Sequence, residues 1–285
     1  MVRTFHHRDF PAERLAVERE ETVSVVVPTR NCAATIGPIA STLARLVDEG
    51  VVDQVLIVDA DSADGTAQVA ARAGVTVVCE HALLPEFGRV RGKGDAMWRA
   101  LSACTGDVVL YLDGDSGGFG AHFVTGTLGP LLLEPHVAFV KGFFRRPFRA
   151  DGKLVPNGGG RVTELTARPL LRRFWPELGA LHQPLAGEMA ARRELLCRLP
   201  FSTGYAVETA MLLDIHREVG LRSLAQVDLE ERHNDHKSLP DLAPMADEVL
   251  AAVTIRLVRE GRLAADDVQP PFERPPMAGV LTAAA

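Results

Sequence analysis

Short apolar runs alternate with amphipathic segments through the first half of this chain, and that alternation constrains the fold more than any other feature. The runs occupy residues 23–27, 54–58, 75–78 and 108–112. The first segment between them spaces Ile36, Ile39 and Leu43 as on one face of a helix. Apolar strands joined by helices form a mostly parallel sheet that is covered on both faces. We therefore predict a Rossmann-like α/β fold that binds its ligands beyond the carboxyl ends of the strands.

The composition is that of a globular intracellular protein. Hydrophobic residues make up 47% of the 285 residues, and the net charge is −6, which argues against nucleic acid as a partner. No run approaches the roughly 20 apolar residues that a membrane span requires. The four cysteines form no CxxC pair. We predict a cytoplasmic protein with reduced thiols and no membrane partner.

The pattern changes after about residue 140, and we divide the chain there. The predicted parts are an N-terminal extension, 1–21, a ligand-binding α/β half, 22–140, a second half of the same domain, 141–265, and a flexible, proline-rich tail, 266–285. The second half begins with a basic stretch that contains Lys141, Arg145, Arg146 and Arg149. Such a stretch is suited to attract an anionic ligand, although basic runs are usually solvated faces.

Two pairs of carboxylates follow predicted strands. The pairs are Asp59 with Asp61 and Asp113 with Asp115. Residues two apart in an extended chain point to the same side, so either pair can hold a divalent ion such as Mg²⁺ or Mn²⁺. A bound ion would neutralise a departing phosphate. Gly114 favours the second pair, because a glycine lets the backbone approach a ligand closely.

A lysine and a glycine loop are candidates for binding phosphate. Lys93 opens a predicted helix within RGKGDA and can reach a phosphate or leaving group; the alternative is a solvated helix end. The glycines at 158–160 lead into Arg161 and Thr163. Free backbone N–H groups and a guanidinium there can bind a phosphate or carboxylate, and the alternative is a flexible turn with a capping threonine.

Two further segments carry candidate ligands. Glu208 begins an apolar helix and can bind hydroxyl groups, or it can simply be favoured by the helix dipole. The segment RHNDH at 232–236 offers His233 and His236 to a metal, although histidines at surfaces are more often not ligands.

Read in order, these motifs resemble a known family. The segments VVVPTRN, VDADSADGT, GKGDA, YLDGDS, GGGRVTEL, QPLAGE, GYAVE and QVDLEERHNDH are similar to those of the glucosyl-3-phosphoglycerate and mannosyl-3-phosphoglycerate synthases of glycosyltransferase family 81. The resemblance covers roughly residues 22–250. It implies a GT-A fold, a homodimer, a divalent metal, and hexose transfer with retention from GDP-mannose or UDP-glucose to 3-phosphoglycerate.

The resemblance also implies roles for individual residues. Those assigned to the nucleotide sugar are Pro28, Thr29, Arg30, Asn31, Asp59, Lys93, Asp113 and Gly114. Those assigned to the acceptor are Gly160, Arg161, Val162 and Thr163. The catalytic set is Asp113, Asp115, Lys93, Glu208 and Leu185, the last through its backbone carbonyl. The metal would be held by Asp115 with His236 or His233.

Departures from the family pattern leave the donor and the metal site open. Cys32 stands where an acidic residue is common, and Ala60 with Asp61 replaces a serine–glycine pair near the nucleotide base. Asn234 aligns with the metal histidine of the family, so that His236, or else His233, would have to substitute. The alternative functions are a polyprenyl-phosphate glycosyltransferase and a nucleotide-binding regulator without catalysis.

Overall fold

The computed structural model describes residues 2–150, 153–155, 159–232, 238–265 and 270–283. The strands are β1 Arg3–His6, β2 Val23–Thr29, β3 Gln54–Asp59, β4 Thr76–Cys79, β5 Val108–Tyr111, β6 Phe139–Arg145, β7 Phe148–Ala150, β8 Lys153–Val155, β9 Met189–Arg192, β10 Phe201–Ser202, β11 Leu224–Glu231 and β12 Glu273–Arg274. The helices are α1 Ala12–Glu18, α2 Ala33–Asp48, α3 Thr66–Arg72, α4 Lys93–Ala100, α5 Ala121–Leu133, α6 Arg168–Phe174, α7 Arg193–Cys197, α8 Val207–Val219, α9 Leu239–Arg259 and α10 Met277–Ala283. A π-helical turn, Thr163–Ala167, leads directly into α6. Among these described segments, no helix combines the length and the apolar character needed to cross a bilayer.

An eight-stranded sheet lies at the centre, with the strand order β1-β11-β6-β9-β5-β2-β3-β4. β9 runs antiparallel to its neighbours β5 and β6, and the other adjacent strands pair in parallel. The four apolar runs of the first half correspond to β2, β3, β4 and β5. The prediction of a mostly parallel α/β sheet is therefore confirmed.

β2 shows why the apolar runs are unbroken. Val25 and Val27 pack on one face of the sheet in a core cluster that includes Ile36 of α2. Val26 packs on the other face, in a cluster that includes Trp98 of α4. Because successive side chains of a strand point to opposite faces, a strand covered on both sides needs an apolar residue at every position. Each such valine contributes about 1.5–3 kcal/mol by its burial.

The direction of β9 brings an additional loop to the functional edge of the sheet. Parallel strands β2, β3, β5, β6 and β11 end at the same edge, where a ligand is expected. Because β9 is antiparallel to β5 and β6, the residues that precede it, 185–188, lie at this edge too. The edge thus combines loops from both halves of the chain.

The N-terminal segment is part of the sheet. β1 pairs in parallel with β11, with Arg3 opposite Ala225 and His6 opposite Asp228. Leu15 of α1 is fully buried in the core. The predicted N-terminal extension, residues 1–21, therefore packs against the domain and adds a strand to the edge of its sheet.

The end of the chain is anchored as well. β12 pairs with β10, and Met277 of α10 is fully buried. Arg274 donates to the buried carboxylate of Asp95 at 2.7 Å, and Trp98 donates to the carbonyl of Pro275 at 2.7 Å. The predicted flexible tail is therefore wrong for residues 270–283, because a buried ion pair and an apolar anchor outweigh the proline-rich composition.

Candidate active site

Charged side chains from three parts of the chain meet at the functional edge. Asp113 follows β5, Lys93 begins α4, and Glu208 lies in the first turn of α8. The Nζ atom of Lys93 donates to Asp113 Oδ1 at 2.5 Å and to Glu208 Oε1 at 2.6 Å. The predicted catalytic residues Lys93, Asp113 and Glu208 are thus in direct contact.

Two glycines position Lys93. Gly92 precedes α4 with φ +78°, a conformation that side chains disfavour. A Cβ atom on Gly94 would lie 2.0 Å from the carbonyl oxygen of Ser202, so only glycine lets α4 approach β10 this closely. The glycine-flanked lysine of the sequence therefore reflects tight packing of the start of α4 against its neighbours.

Arg232, directly after β11, holds three carboxylates. Its guanidinium donates to Asp113 Oδ2 at 2.8 Å, to Asp115 Oδ1 at 2.8 Å and to Glu188 Oε1 at 2.6 Å. Arg232 and Glu188 are almost completely buried, whereas the side chain of Asp115 is 67% exposed. The guanidinium thus neutralises a carboxylate cluster that burial alone would make unfavourable.

The charges of this network shift the pKa values of its members. Burial by itself would raise the pKa of Asp113, but Lys93 and Arg232 outweigh it and hold that pKa well below its usual range. Burial likewise opposes the charge of Lys93, and the two carboxylates beside it keep its pKa above the usual value. Burial raises the pKa of Glu188, which Arg232 offsets only in part. Asp113 and Lys93 are therefore a stable ion pair.

Of the predicted metal pair, Asp115 is the better ligand. Both oxygens of Asp113 already accept hydrogen bonds, one from Lys93 and one from Arg232. Asp115 is largely exposed, so a divalent ion there could keep open positions for water and phosphate oxygens. The site therefore fits a hard cation held by carboxylate oxygen. The predicted ligands His233 and His236 lie outside the described residues.

The alternative carboxylate pair serves the structure of a loop. Asp59 is buried and accepts hydrogen bonds from Thr29 Oγ1 at 3.1 Å, from the Ser62 amide at 2.9 Å and from Ser62 Oγ at 2.7 Å. Asp61 is 65% exposed and lies 3.2 Å from His81. Because the Asp59 carboxylate is buried and already accepts these three bonds, the more exposed Asp115 is the better candidate for the metal.

The residues predicted to bind the nucleotide form one loop with Asp59. Pro28 and Thr29 end β2, and the exposed Arg30 follows. Asn31 has φ +54°, donates its amide to Ser62 Oγ at 2.9 Å and accepts from the Ala63 amide at 3.3 Å. The structure therefore brings together the residues predicted to bind the nucleotide sugar, and the hydrogen bonds of Asp59 stabilise their loop.

Gly114 has a structural role in addition to the one predicted, which stays a prediction. A Cβ atom at this position would lie 2.7 Å from Thr29 Cγ2, and the Gly114 carbonyl accepts from Thr35 Oγ1 at 2.7 Å. The glycine therefore allows the metal loop to pack against the end of β2, which fixes the distance between the two loops.

A cavity of about 360 Å³ lies next to this network, in the predicted acceptor half. Its walls include the predicted acceptor residues Gly160 and Thr163 and three arginines, Arg145, Arg146 and Arg168. Arg161 and Val162 instead line a separate, mostly apolar depression with Leu239 and Leu242 of α9. Glu164 and Asp228 also line the cavity, so the three arginines leave an excess of one positive charge that is suited to a small anion; Arg161 is not among the lining residues.

Leu185 and Lys141 lie near the network of Lys93, Asp113 and Arg232, on the buried side of the site. Leu185 packs beside Val162 and Val249 in a small apolar cluster. Lys141 is buried in β6 and donates to the carbonyl of Ala186, the residue after Leu185. Burial lowers the pKa of Lys141 to about 8. Lys141 thus fixes the loop of Leu185 and does not face solvent; the side chain of Arg149 lies outside the described part of the chain.

The sequence pattern does not predict a role for Glu188 or Arg168, and it does not predict that Arg232 lies at the centre of the network. Glu188 belongs to the segment QPLAGE and Arg232 to the segment RHNDH, but neither motif by itself indicates a role for these two residues. The signal for Arg232 is its position directly after the apolar run that forms β11, whereas no local pattern indicates a role for Glu188. Their pairing spans 44 positions and depends on the reversed β9, which the sequence pattern does not indicate.

Comparison with known proteins identifies the family. A family model described as Glycosyl transferase family 2 matches residues 24–116. The glucosyl-3-phosphoglycerate synthase of Petrotoga mobilis is 40% identical over 92% of this chain and 83% of that protein. The chain belongs to the glucosyl-3-phosphoglycerate synthase family. It is therefore a glycosyltransferase, and the resemblance drawn from its motifs is confirmed.

Solved structures of this family share the fold. The mannosyl-3-phosphoglycerate synthase of Rubrobacter xylanophilus is 44% identical, with a TM-score of 0.91 over 98% of this chain and 97% of that one. The glucosyl-3-phosphoglycerate synthase of Mycobacterium tuberculosis, in complex with Mn²⁺, UDP-glucose and phosphoglyceric acid, is 37% identical, with a TM-score of 0.85 over 98% and 99% of the chains. The predicted GT-A fold is thus confirmed.

Proposed function

We propose that the protein transfers a hexose from GDP-mannose or UDP-glucose to 3-phosphoglycerate, with retention at the anomeric carbon and with Mg²⁺ or Mn²⁺ at Asp115. One observation carries the proposal: an arginine-lined cavity adjoins the Lys93–Asp113–Arg232 network. Arg146 lines this cavity and is close enough to Arg232 and Asp113 for their charges to affect its pKa. An anionic acceptor in the cavity would therefore lie beside the groups that bind the donor phosphates.

The residues around the reaction centre would act by position and charge. When bound at Asp115, the divalent ion supplies Lewis-acid stabilisation of the departing nucleoside diphosphate. Lys93, held between Asp113 and Glu208, adds a fixed positive charge where negative charge develops. We assign the second oxygen of Glu208 to hydroxyl groups of the hexose, since the buried carboxylate is fixed by Lys93 through the first.

In this proposal the anomeric configuration is retained because the acceptor hydroxyl attacks the anomeric carbon on the same face from which the leaving group departs. The carboxylates near the site are engaged by Lys93 and Arg232, so none is assigned as a covalent nucleophile. The leaving phosphate would take the proton of the acceptor hydroxyl, and the loop of Leu185 would orient that hydroxyl. Most of the rate enhancement would come from positioning and charge stabilisation.

The donor is left as two candidates, because relatives of both kinds are similar to this chain. The relatives include glucosyl and mannosyl synthases, and several structures of the Mycobacterium tuberculosis enzyme hold UDP-glucose. Membership of this family favours the synthase over the polyprenyl-phosphate transferase and the regulator. A homodimer and a cytoplasmic location stay predictions, the first of which light scattering in solution would test.

The proposal is tested by incubating the enzyme with 3-phosphoglycerate, Mg²⁺ or Mn²⁺, and either nucleotide sugar. We expect one donor to give a hexosyl-phosphoglycerate by mass spectrometry, with the anomeric configuration of the donor by NMR. Chelation and the Asp115→Asn variant should each abolish turnover. Absence of a phosphorylated glycoside with both donors would overturn the acceptor assignment.

A further inference from the structure

Arg146 is a half-buried cation without a carboxylate partner among the described residues. Its Nε atom is buried and has no hydrogen-bond partner, and its guanidinium makes no ion pair within the described residues. The guanidinium instead lies 4.9 Å from the ring centre of Phe144. Nearby Arg168, by contrast, is paired with Glu164 at 2.8 Å. A buried N–H group without a hydrogen-bond partner is costly, so an anion that accepts from Arg146 Nε would stabilise this part of the cavity.

The surroundings of Arg146 make its positive charge less favourable. Burial lowers the pKa of Arg146 and the charge of Arg232 lowers it further, while the carboxylates of Glu188, Asp113 and Asp115 offset these effects only in part. Other buried polar atoms on the same cavity also lack partners among the described residues, namely Nε of Arg168 and Oε1 of Gln183. The cavity therefore offers N–H donors to an anion and one acceptor to a hydroxyl group.

The loop around Gly159 fixes Arg146 in this position. The amide of Gly159 donates to the Arg146 carbonyl at 3.1 Å, and a Cβ atom on Gly159 would lie 2.5 Å from Arg146 Cβ. The same loop continues into Gly160 and Thr163, the residues predicted to bind the acceptor phosphate. Arg146, directly after β6, thus lines the same cavity as the predicted phosphate site.

We propose that Arg146 binds the carboxylate of the acceptor and so determines that the substrate is a phosphorylated hydroxy acid. This inference rests on the proposed function and names the group that distinguishes the acceptor from a simple phosphorylated alcohol. The planar guanidinium matches a carboxylate in a two-bond geometry. Gly160 and Thr163 hold the phosphate, and the hydroxyl between the two anionic groups faces the donor.

Glycerol 3-phosphate tests the inference, because it keeps the phosphate and hydroxyl of 3-phosphoglycerate and lacks the carboxylate. We would measure kcat/KM for both acceptors, and binding of both by calorimetry with nucleotide and metal present, for the wild type and Arg146→Gln. We expect the variant to lose about 100-fold in kcat/KM for 3-phosphoglycerate, the effect of one charged hydrogen-bonded pair. Turnover of glycerol 3-phosphate and the KM of the donor should change by less than about threefold.

Two further variants complete the experiment. Arg173→Gln removes an exposed arginine of α6 and should leave both acceptors unaffected. Arg146→Lys keeps the charge without the planar fork and should recover part of the preference for 3-phosphoglycerate. Equal losses for both acceptors, or no loss for either, would overturn the carboxylate assignment. A wild type that neither binds nor turns over 3-phosphoglycerate would overturn the proposed function itself.

Discussion

Arg232 donates a 2.8 Å hydrogen bond to Asp115, the carboxylate assigned to the metal. The arginine is 2% exposed and also contacts Asp113 and Glu188. A guanidinium therefore occupies one side of the position in which a divalent ion would be bound. The protein carries its own counter-charge for the carboxylates when the metal and the nucleotide are not bound.

Replacing Arg232 should have opposite effects on stability and on metal affinity. In the presence of a chelator, Arg232→Met should lower the free energy of unfolding by about 3–5 kcal/mol, because the buried carboxylates lose their counter-charge. The same change should make Mn²⁺ bind about tenfold more tightly or more, because one positive charge is removed. Urea unfolding and Mn²⁺ titration by electron paramagnetic resonance measure the two effects.

The matched control is Arg198→Met, which removes an arginine that is 45% exposed and pairs with Glu194. An exposed pair contributes about 0–1 kcal/mol, so this variant should unfold almost as the wild type does. Weaker Mn²⁺ binding by Arg232→Met would contradict the position inferred for Arg232.

Lys93 should affect the rate more than the binding of either substrate. Its charge is fixed between Asp113 and Glu208, where it can stabilise the departing diphosphate. We expect Lys93→Met to lower kcat by about 100- to 1,000-fold, the loss typical of one transition-state donor. Single-turnover kinetics measure the chemical step, and Lys93→Arg serves as the charge-conserving comparison. An unchanged kcat with a raised donor KM would show that Lys93 binds only the ground state.

Lys141 should give stability a specific dependence on pH. Its pKa is about 8 in the folded protein, against 10.5 for an ordinary lysine. Between these values the unfolded chain binds more protons than the folded one, so the free energy of unfolding should rise with pH across that window. Lys141→Met should reduce this rise. Urea unfolding of both proteins at pH 7.5 to 10.5 measures the difference, and parallel curves would argue against a buried lysine of low pKa.

The anchored end of the chain should stabilise the helix that carries Lys93. Arg274 donates to both oxygens of the fully buried Asp95, at 2.9 and 2.7 Å. We expect Arg274→Ala to lower the free energy of unfolding by about 3 kcal/mol, the cost of leaving a buried charge with fewer partners. Arg45→Ala, which removes an exposed pair with Glu49, should cost about 0.5 kcal/mol. Similar losses in the two variants would mean that the end of the chain contributes no anchor.

The sequence predicted the parts of the molecule that depend on local pattern. The strands of the first half were readable because burial on both faces requires unbroken apolar runs such as 23–27. Asp113 and Asp115 were predictable as site residues because they directly follow such a run. Lys93 was predictable because it begins a predicted helix. The 2.5 Å contact between Lys93 and Asp113 was less predictable, because β4 and β5 are separated in the sheet by β3 and β2 and the segment after β4 returns past both strands to the end of β5.

Long-range pairings were not predictable in the same way. β9, Met189–Arg192, is a four-residue strand without β-branched residues, so nothing local indicated a strand or its direction. The contact of Glu188 with Arg232 depends on that direction. Arg274 lies 179 positions from Asp95. The prolines of the C-terminal segment favour a prediction of disorder, because composition does not reveal a distant buried partner.

The antiparallel direction of β9 also means that the acceptor site can change in sequence and loop length independently of the nucleotide site. Loops after the parallel strands are tied to crossover helices, so altering their length shifts helices that cover the core. The loop that enters β9 is joined to no such crossover, and insertions or deletions there leave the register of β5 and β6 intact. New acceptor preferences can therefore arise in this architecture by changing one entrance loop, while the nucleotide half stays as it is.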